Sequence, residues 1–287
     1  MKHIIILITA MVISITSFSQ EANVAYKVAN YDFKYSHNLK IKTNCEMAEL
    51  IFSKGGGDKI EIKCTYSAKH ADKSIATKEL QRHSIRVRKT LNEIFISNYF
   101  TISGGENEPK AKLKIKFEIT IPDSVNLDIQ NNFGSCKFIN VNAKGNLNQD
   151  FGKIDITNMN GNLKIKGNLT EVTISKFTGG LDIRNKSGDI NTTDIKGSLL
   201  FIQNSNANIA LNNIDNTVNV KLQLSNCQLT CKNINYAKHS LSIESYKTPI
   251  LQNANLTVEK KGEYYYINSL KALPGFIIKA SHSTIHL

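Results

Sequence analysis

The feature that most constrains this chain is a row of residues that returns every 18 positions. Gly152, Ile154, Ile156, Met159, Gly161, Leu163 and Ile165 recur as Thr170, Val172, Ile174, Phe177, Gly179, Leu181 and Ile183. They return again as Gly188, Ile190, Thr192, Ile195, Gly197, Leu199 and Phe201. Within each row apolar and polar residues alternate, which is the two-residue period of an extended strand with one face buried. A fixed period near 20 residues marks a unit that cannot bury its own apolar face and must stack on its neighbours. The expected fold class is therefore all-β, a single-stranded β-solenoid of the parallel β-helix kind, with Ile154, Val172 and Ile190 stacked in one interior column.

Proline is absent between Asp123 and Thr248. A strand bonded on both sides has no place for a residue without an N–H, so the gap agrees with the repeat. Glycine and asparagine stand instead at the expected corners, among them Gly134, Asn142, Gly152, Asn160, Gly179, Gly197 and Asn213. Later units lengthen but keep the order, first as Ile209, Leu211, Ile214, Val218 and Val220, then as Leu229, Cys231, Ile234, Leu241 and Ile243. These patterns divide the chain into a β-rich entry region with one short helix (20–122), the repeats (123–248) and a cap (249–287). In the cap, a hairpin around Lys260–Glu263 is expected to be followed by closing strands at Phe276–Ile278 and Thr284–Leu287.

Residues 1–19 stand apart. Lys2, an apolar run from Ile4 to Ile15 and the small-residue site Ser17-Phe18-Ser19 have the form of a secretory signal peptide cleaved before Gln20. No other stretch approaches the ~18 apolar residues of a membrane span. The mature chain is thus expected without a span, outside the cytoplasm: periplasmic, outer-surface or extracellular.

The entry region reads as a polar lead-in to about Tyr35, strands at Leu39–Thr43 and Ala48–Phe52, and a turn at Gly55-Gly56-Gly57-Asp58. That turn is expected to close a hairpin with the alternating Ile60, Ile62, Cys64 and Tyr66. Because a strand and not a helix follows the glycines, they do not form a phosphate cradle. Asp72–His83 is the one helix, whose Lys78 and Arg82 would continue through Arg86 as a solvated basic stripe. His70 and His83 read as surface residues. After a loop at Ser103–Lys110, Leu113, Ile115, Phe117, Ile119 and Ile121 alternate with polar residues in a two-faced strand ending at Pro122.

A net charge of +12 is spread evenly along the chain, which suits an anionic surface as a weak neighbour but not a nucleic-acid footprint. Five cysteines are an odd number. The repeat register turns Cys136 and Cys231 inward as small core residues. Cys227 and Cys231, roughly 13 Å apart along an extended segment, are too distant to bond. Whether Cys45 and Cys64 pair is left open. No catalytic, cofactor or metal residues are assigned. The outward repeat positions hold Asp155, Thr173 and Asn191 in one column and Lys164, Asp182 and Leu200 in another, and neither accumulates the paired carboxyls of sugar hydrolysis. Tyr264 and Tyr266 share one face and suit either packing in the cap or stacking on a sugar ring. His282 and His286 point the same way in one strand, roughly 13 Å apart, too far to share a metal.

The leader, the strand-helix-strand entry, the strand end Ile119-Thr120-Ile121-Pro122, and Phe133-Gly134 and Phe151-Gly152 opening successive units together resemble the putative-adhesin family of bacterial envelope β-solenoids over roughly residues 39–246. The resemblance implies a secreted protein with no catalytic residues to carry over. The expected function is that of a non-enzymatic envelope or cell-surface protein, an adhesin or scaffold facing envelope polysaccharide, lipid or protein. The alternatives are an accessory sensor of envelope stress, or a polysaccharide-active enzyme working through Asp155 or Asp182.

Overall fold

The computed structural model describes residues 23–37, 39–101, 109–251, 256–269 and 271–287. The segment read as a signal peptide and most of the loop expected at 103–110 lie outside the described residues. Apart from one α-helix and a short 3-10 turn, the described chain is all β, in one large mixed sheet of parallel and antiparallel pairs.

The 18-residue repeat reappears as strand register. Val172 pairs with Ile190, Ile190 with Ile209 and Ile209 with Leu229, at offsets of 18, 19 and 20 residues, and none is more than 1% exposed. Each such aliphatic side chain removed from water contributes on the order of 1.5–3 kcal/mol, so one interior column supplies a large share of the folding drive. The 50-residue β9 (Ser135–Arg184) passes repeatedly between two ladders of parallel rungs, turning at the positive-φ residues Asn140, Phe151, Asn158, Leu169 and Lys176. The first ladder contains β2 (Lys40–Glu46), β8 (Val125–Asn132), residues 143–150, the second half of β10 (Ile190–Ser205) and β12 (Asn219–Ser225). In the second lie β3 (Ala48–Lys54), residues 135–139, the first half of β10, β11 (Asn208–Ile214) and β13 (Gln228–Lys232).

One register differs from the sequence reading. Gly197 pairs with Gly179, but Leu199 pairs with Gly180, so Ser198 is one residue more than the repeat provides. A slip of one residue exchanges the faces of a strand. Leu200 and Ile202 therefore point inward, while Leu199, expected in the core, is 40% exposed and Phe201 pairs with Asp182 on the outside.

Rung order also departs from chain order at both ends. β6 (Glu93–Phe100) and β7 (Lys112–Ile121) pair with β2 and β3, which pair in turn with β8 and β9. The first rung along the chain is thus second in space. At the other end, β18 (Gly275–Ser281) and β19 (Thr284–His286) lie between β12/β13 and the rung of β14 (Ser240–Tyr246) and β15 (Ile250–Leu251). The strands expected to close the cap are inside the stack. The antiparallel β17 (Tyr264–Ser269) and β16 (Glu259–Lys261) follow β14 instead.

Three readings of the entry region are corrected. The lead-in is a 12-residue strand, β1 (Asn23–Lys34), antiparallel to β4 (Lys59–His70), with Ala25, Ala29, Tyr31 and Phe33 turned toward the protein. β3 and β4 do not form a hairpin, because β7 lies between them, parallel to one and antiparallel to the other. The basic stripe is broken. Helix α1 (Lys73–Arg82), capped by an Asp72 carboxylate that accepts from the Ser74 N–H at 2.7 Å, turns Arg82 onto Glu79 at 3.0 Å and over the Phe100 ring at 4.6 Å. Its His83 neighbour is half-buried against Phe100, and that burial lowers its pKa. All five cysteines are free and buried, Cys45 in one ladder and Cys64 in the other. Burial pushes the Cys64, Cys136 and Cys231 thiols up to about 12, which keeps them protonated and inert.

Candidate functional site

At the corner that ends each first-ladder rung stands a residue with positive φ: Met47, Phe133, Phe151, Leu169, Ser187, Asn206, Asn226, His282 and Lys247. The corner N–H groups follow the spatial order of the rungs, Asn226 donating to Ser281 and His282 to Tyr246. His282 is therefore a corner residue and His286 a strand residue of the other ladder, not partners in one strand. The Phe-Gly pairs have a steric cause. After Phe133 and Phe151 the chain turns so tightly that a Cβ on Gly134 would lie 2.1 Å from the Ala48 carbonyl oxygen, and one on Gly152 would lie 2.0 Å from that of Gly134. Inside the same corner, buried amides satisfy the carbonyls that the turn leaves behind. Asn131 donates to Ala48 O at 3.0 Å, Gln149 to Gly134 O at 3.0 Å, Asn185 to Thr170 O at 2.7 Å and Asn204 to Gly188 O at 2.8 Å. Buried amides paired in this way hold one backbone geometry for each rung.

On the outer side of this corner, the C-terminal rungs of the first ladder form a groove of 770 Å³. Two rows of side chains cross it, one per rung, at the ~4.8 Å spacing of paired strands. In one, Arg184, Gln203, Gln223, Lys279 and Glu244 are successive cross-strand neighbours. In the other, Ser205, Ser225 and Ser281 lead to Tyr246 and Tyr264. The serines are short, so they make a floor, with Ser281 Oγ 3.4 Å from Ser225 Oγ. The tyrosines rise from it as a wall. The Tyr246 ring lies 4.9 Å from that of Tyr264, which stacks on Tyr266 at 5.9 Å and 18°, and the Tyr246 hydroxyl donates to Glu263 at 2.9 Å. At the opposite end Arg184 is held by two bonds to Asp182, 3.1 and 3.3 Å, and lies 5.1 Å from the centre of the Phe201 ring. Lys186 stands beside it on the groove's lining.

The surface offers hydrogen-bonding groups, cationic side chains and an aromatic ring side by side. Of the residues singled out from the sequence, Tyr264 lines this groove and Tyr266 stacks behind it. Asp155 and Asp182 do not come together: Asp155 sits on a second-ladder rung in contact with Lys153 at 3.2 Å, Asp182 on the first ladder with Arg184. The serine and glutamine rows escaped the sequence reading because β18 supplies part of them. Ser225 and Ser281 are 56 residues apart, and no period links them.

The described residues define an all-β protein with a large mixed sheet and a polar groove walled by tyrosines. No family model matches the chain, and no curated protein does. Among solved structures it is similar to a putative adhesin from Parabacteroides distasonis (9% identity, 91% of this chain and 97% of that one, TM-score 0.34). Another is a putative lipid-binding protein from the same organism (10% identity, 91% and 97%, TM-score 0.34). A third is a putative cell adhesion protein from Clostridium sporogenes (10% identity, 91% and 94%, TM-score 0.28).

Proposed function

We propose that this chain is a non-enzymatic envelope or cell-surface protein, an adhesin or scaffold, whose rungs stack as a single-stranded β-solenoid behind an N-terminal entry region. On this reading residues 1–19 direct secretion, and the outer face of the first ladder binds a neighbouring surface. The observation that carries the proposal is the groove between Arg184 and Tyr264, with one polar side chain per rung and an aromatic wall. Its floor is fixed by ladder hydrogen bonds, so binding requires little ordering of the protein. The test is retention of bacterial envelope fractions by the immobilised mature chain, compared with a Gln203→Ala, Gln223→Ala, Tyr264→Ala variant. Retention that the variant loses supports the reading; a wild-type chain that retains nothing overturns it.

A further inference from the structure

Resting on that surface-binding reading, we infer that the groove takes an acidic oligosaccharide laid along the stack, its carboxylates at the cationic end and a sugar ring against Tyr264. The charge of the lining comes first. Arg184, Lys186 and Lys279 face a single carboxylate, Glu244, within the lining. Arg184 shares its charge with Asp182, which fixes its guanidinium in place, while Lys186 and Lys279 have no ion-pair partner among the described residues. The excess continues along the same ladder, where Lys164, Lys166 and Lys221 are exposed. The second observation is translational. Ser205, Ser225 and Ser281, and beside them Gln203, Gln223 and Lys279, repeat once per rung, so the groove offers a hydroxyl and a longer polar group at each ~4.8 Å step. A polymer of sugar units about one rung long meets these groups in register; a compact ligand does not. The third is the wall, where Tyr264 is 38% exposed and backed by Tyr246 and Tyr266, a ring face able to cover the apolar side of a pyranose.

The experiment is calorimetric titration of the mature chain with a hexameric oligogalacturonate, its fully methyl-esterified form and monomeric galacturonate, at low and moderate salt. The acidic hexamer is expected to bind at least about tenfold more tightly than the ester or the monomer, since each charged contact contributes roughly that much, and to weaken with salt. Lys186→Ala with Lys279→Ala, which removes two such contacts, is expected to lose about a hundredfold for the acid and nothing for the ester. Tyr264→Ala is expected to weaken both. Lys153→Ala, on the other ladder, leaves binding unchanged. Equal binding of acid and ester, or an unchanged double lysine variant, overturns the acidic-glycan assignment. If no hexamer binds while envelope fractions are still retained, the ligand class is wrong and the surface-binding reading stands. If neither binds, both fall.

Discussion

At the residue scale, the first-ladder corner places Met47, Phe133, Phe151 and Leu169 in the left-handed region with φ between 52° and 55°, and all four are 42–64% exposed. The left-handed conformation costs an ordinary L-residue on the order of 1–2 kcal/mol, and asparagine tolerates it because its short amide bonds locally. Farther along the same column Asn206 and Asn226 occupy the corner, the Asn226 amide donating to Asn206 at 3.3 Å. Leu169→Asn is therefore expected to raise stability by about 0.5–1 kcal/mol, because strain is relieved and only half a leucine was buried. Thermal unfolding tests this, and a lower Tm would show that the apolar ridge stabilises more than the backbone strain costs. Gly152→Ala is the opposite case: its Cβ would meet a backbone oxygen in a ladder that cannot yield, and a loss of about 2–4 kcal/mol is expected in denaturant titration. A loss under 1 kcal/mol would mean that the corner relaxes. Glycines at corners were legible in the sequence, since only they allow such approach. Positive φ at Phe and Leu was not, because nothing local favours it.

At the scale of elements, strands and helix were largely legible, for alternation and spacing follow from the pleat and the helical turn. The helix expected over Asp72–His83 is observed as α1 (Lys73–Arg82), with Asp72 and His83 as its two caps. What escaped was pairing: the bulge at Ser198, the strand character of β1, and β7 between β3 and β4. The junction of β14 with the inserted β18 also holds a titratable group. His239 is 0% exposed after the turn Tyr236–Lys238, its ring 5.5 Å from Phe276, and neither ring nitrogen has a hydrogen-bond partner among the described residues. Burial lowers its pKa below 6.5, against the smaller upward pull of the Pro274 carbonyl and Asp215. The unfolded chain then binds a proton that the folded chain refuses, so stability is lost as pH falls below about 6.5. His83 acts in the same direction. Asp215 and Glu118, with pKa values held down by Thr217 and Lys116, contribute losses only below 3.8 and 4.5. Tm is expected to fall between pH 7 and pH 5, and less steeply in His239→Leu. Equal slopes in wild type and variant would assign the effect elsewhere.

At the scale of the whole molecule, the chain tucks both terminal rungs one place inward, so that β2/β3 and β18/β19 are each bonded on two sides. A terminal rung placed last frays from an open edge; one placed between two others opens only with its neighbours. Deleting 275–287 is accordingly expected to disrupt the C-terminal stack, with loss of cooperative unfolding by circular dichroism and of the groove, because β12 and β14 pair through β18 and not with each other. A truncated chain with full-length Tm would mean that β14 closes directly onto β12. The order of rungs marks the boundary between the two kinds of information. By itself the sequence determined the inward-facing side chains of the repeats up to the bulge at Ser198, the glycines of the corners and the offset of 18 between the first units, because burial and the two-residue pleat write those patterns locally. Only the tertiary structure decided which edge meets which. Every strand edge offers the same N–H and C=O groups, and Val220, Phe276 and Leu241 present equally apolar faces to one column, so the choice among partners, and with it the groove, is made by the packing of the whole.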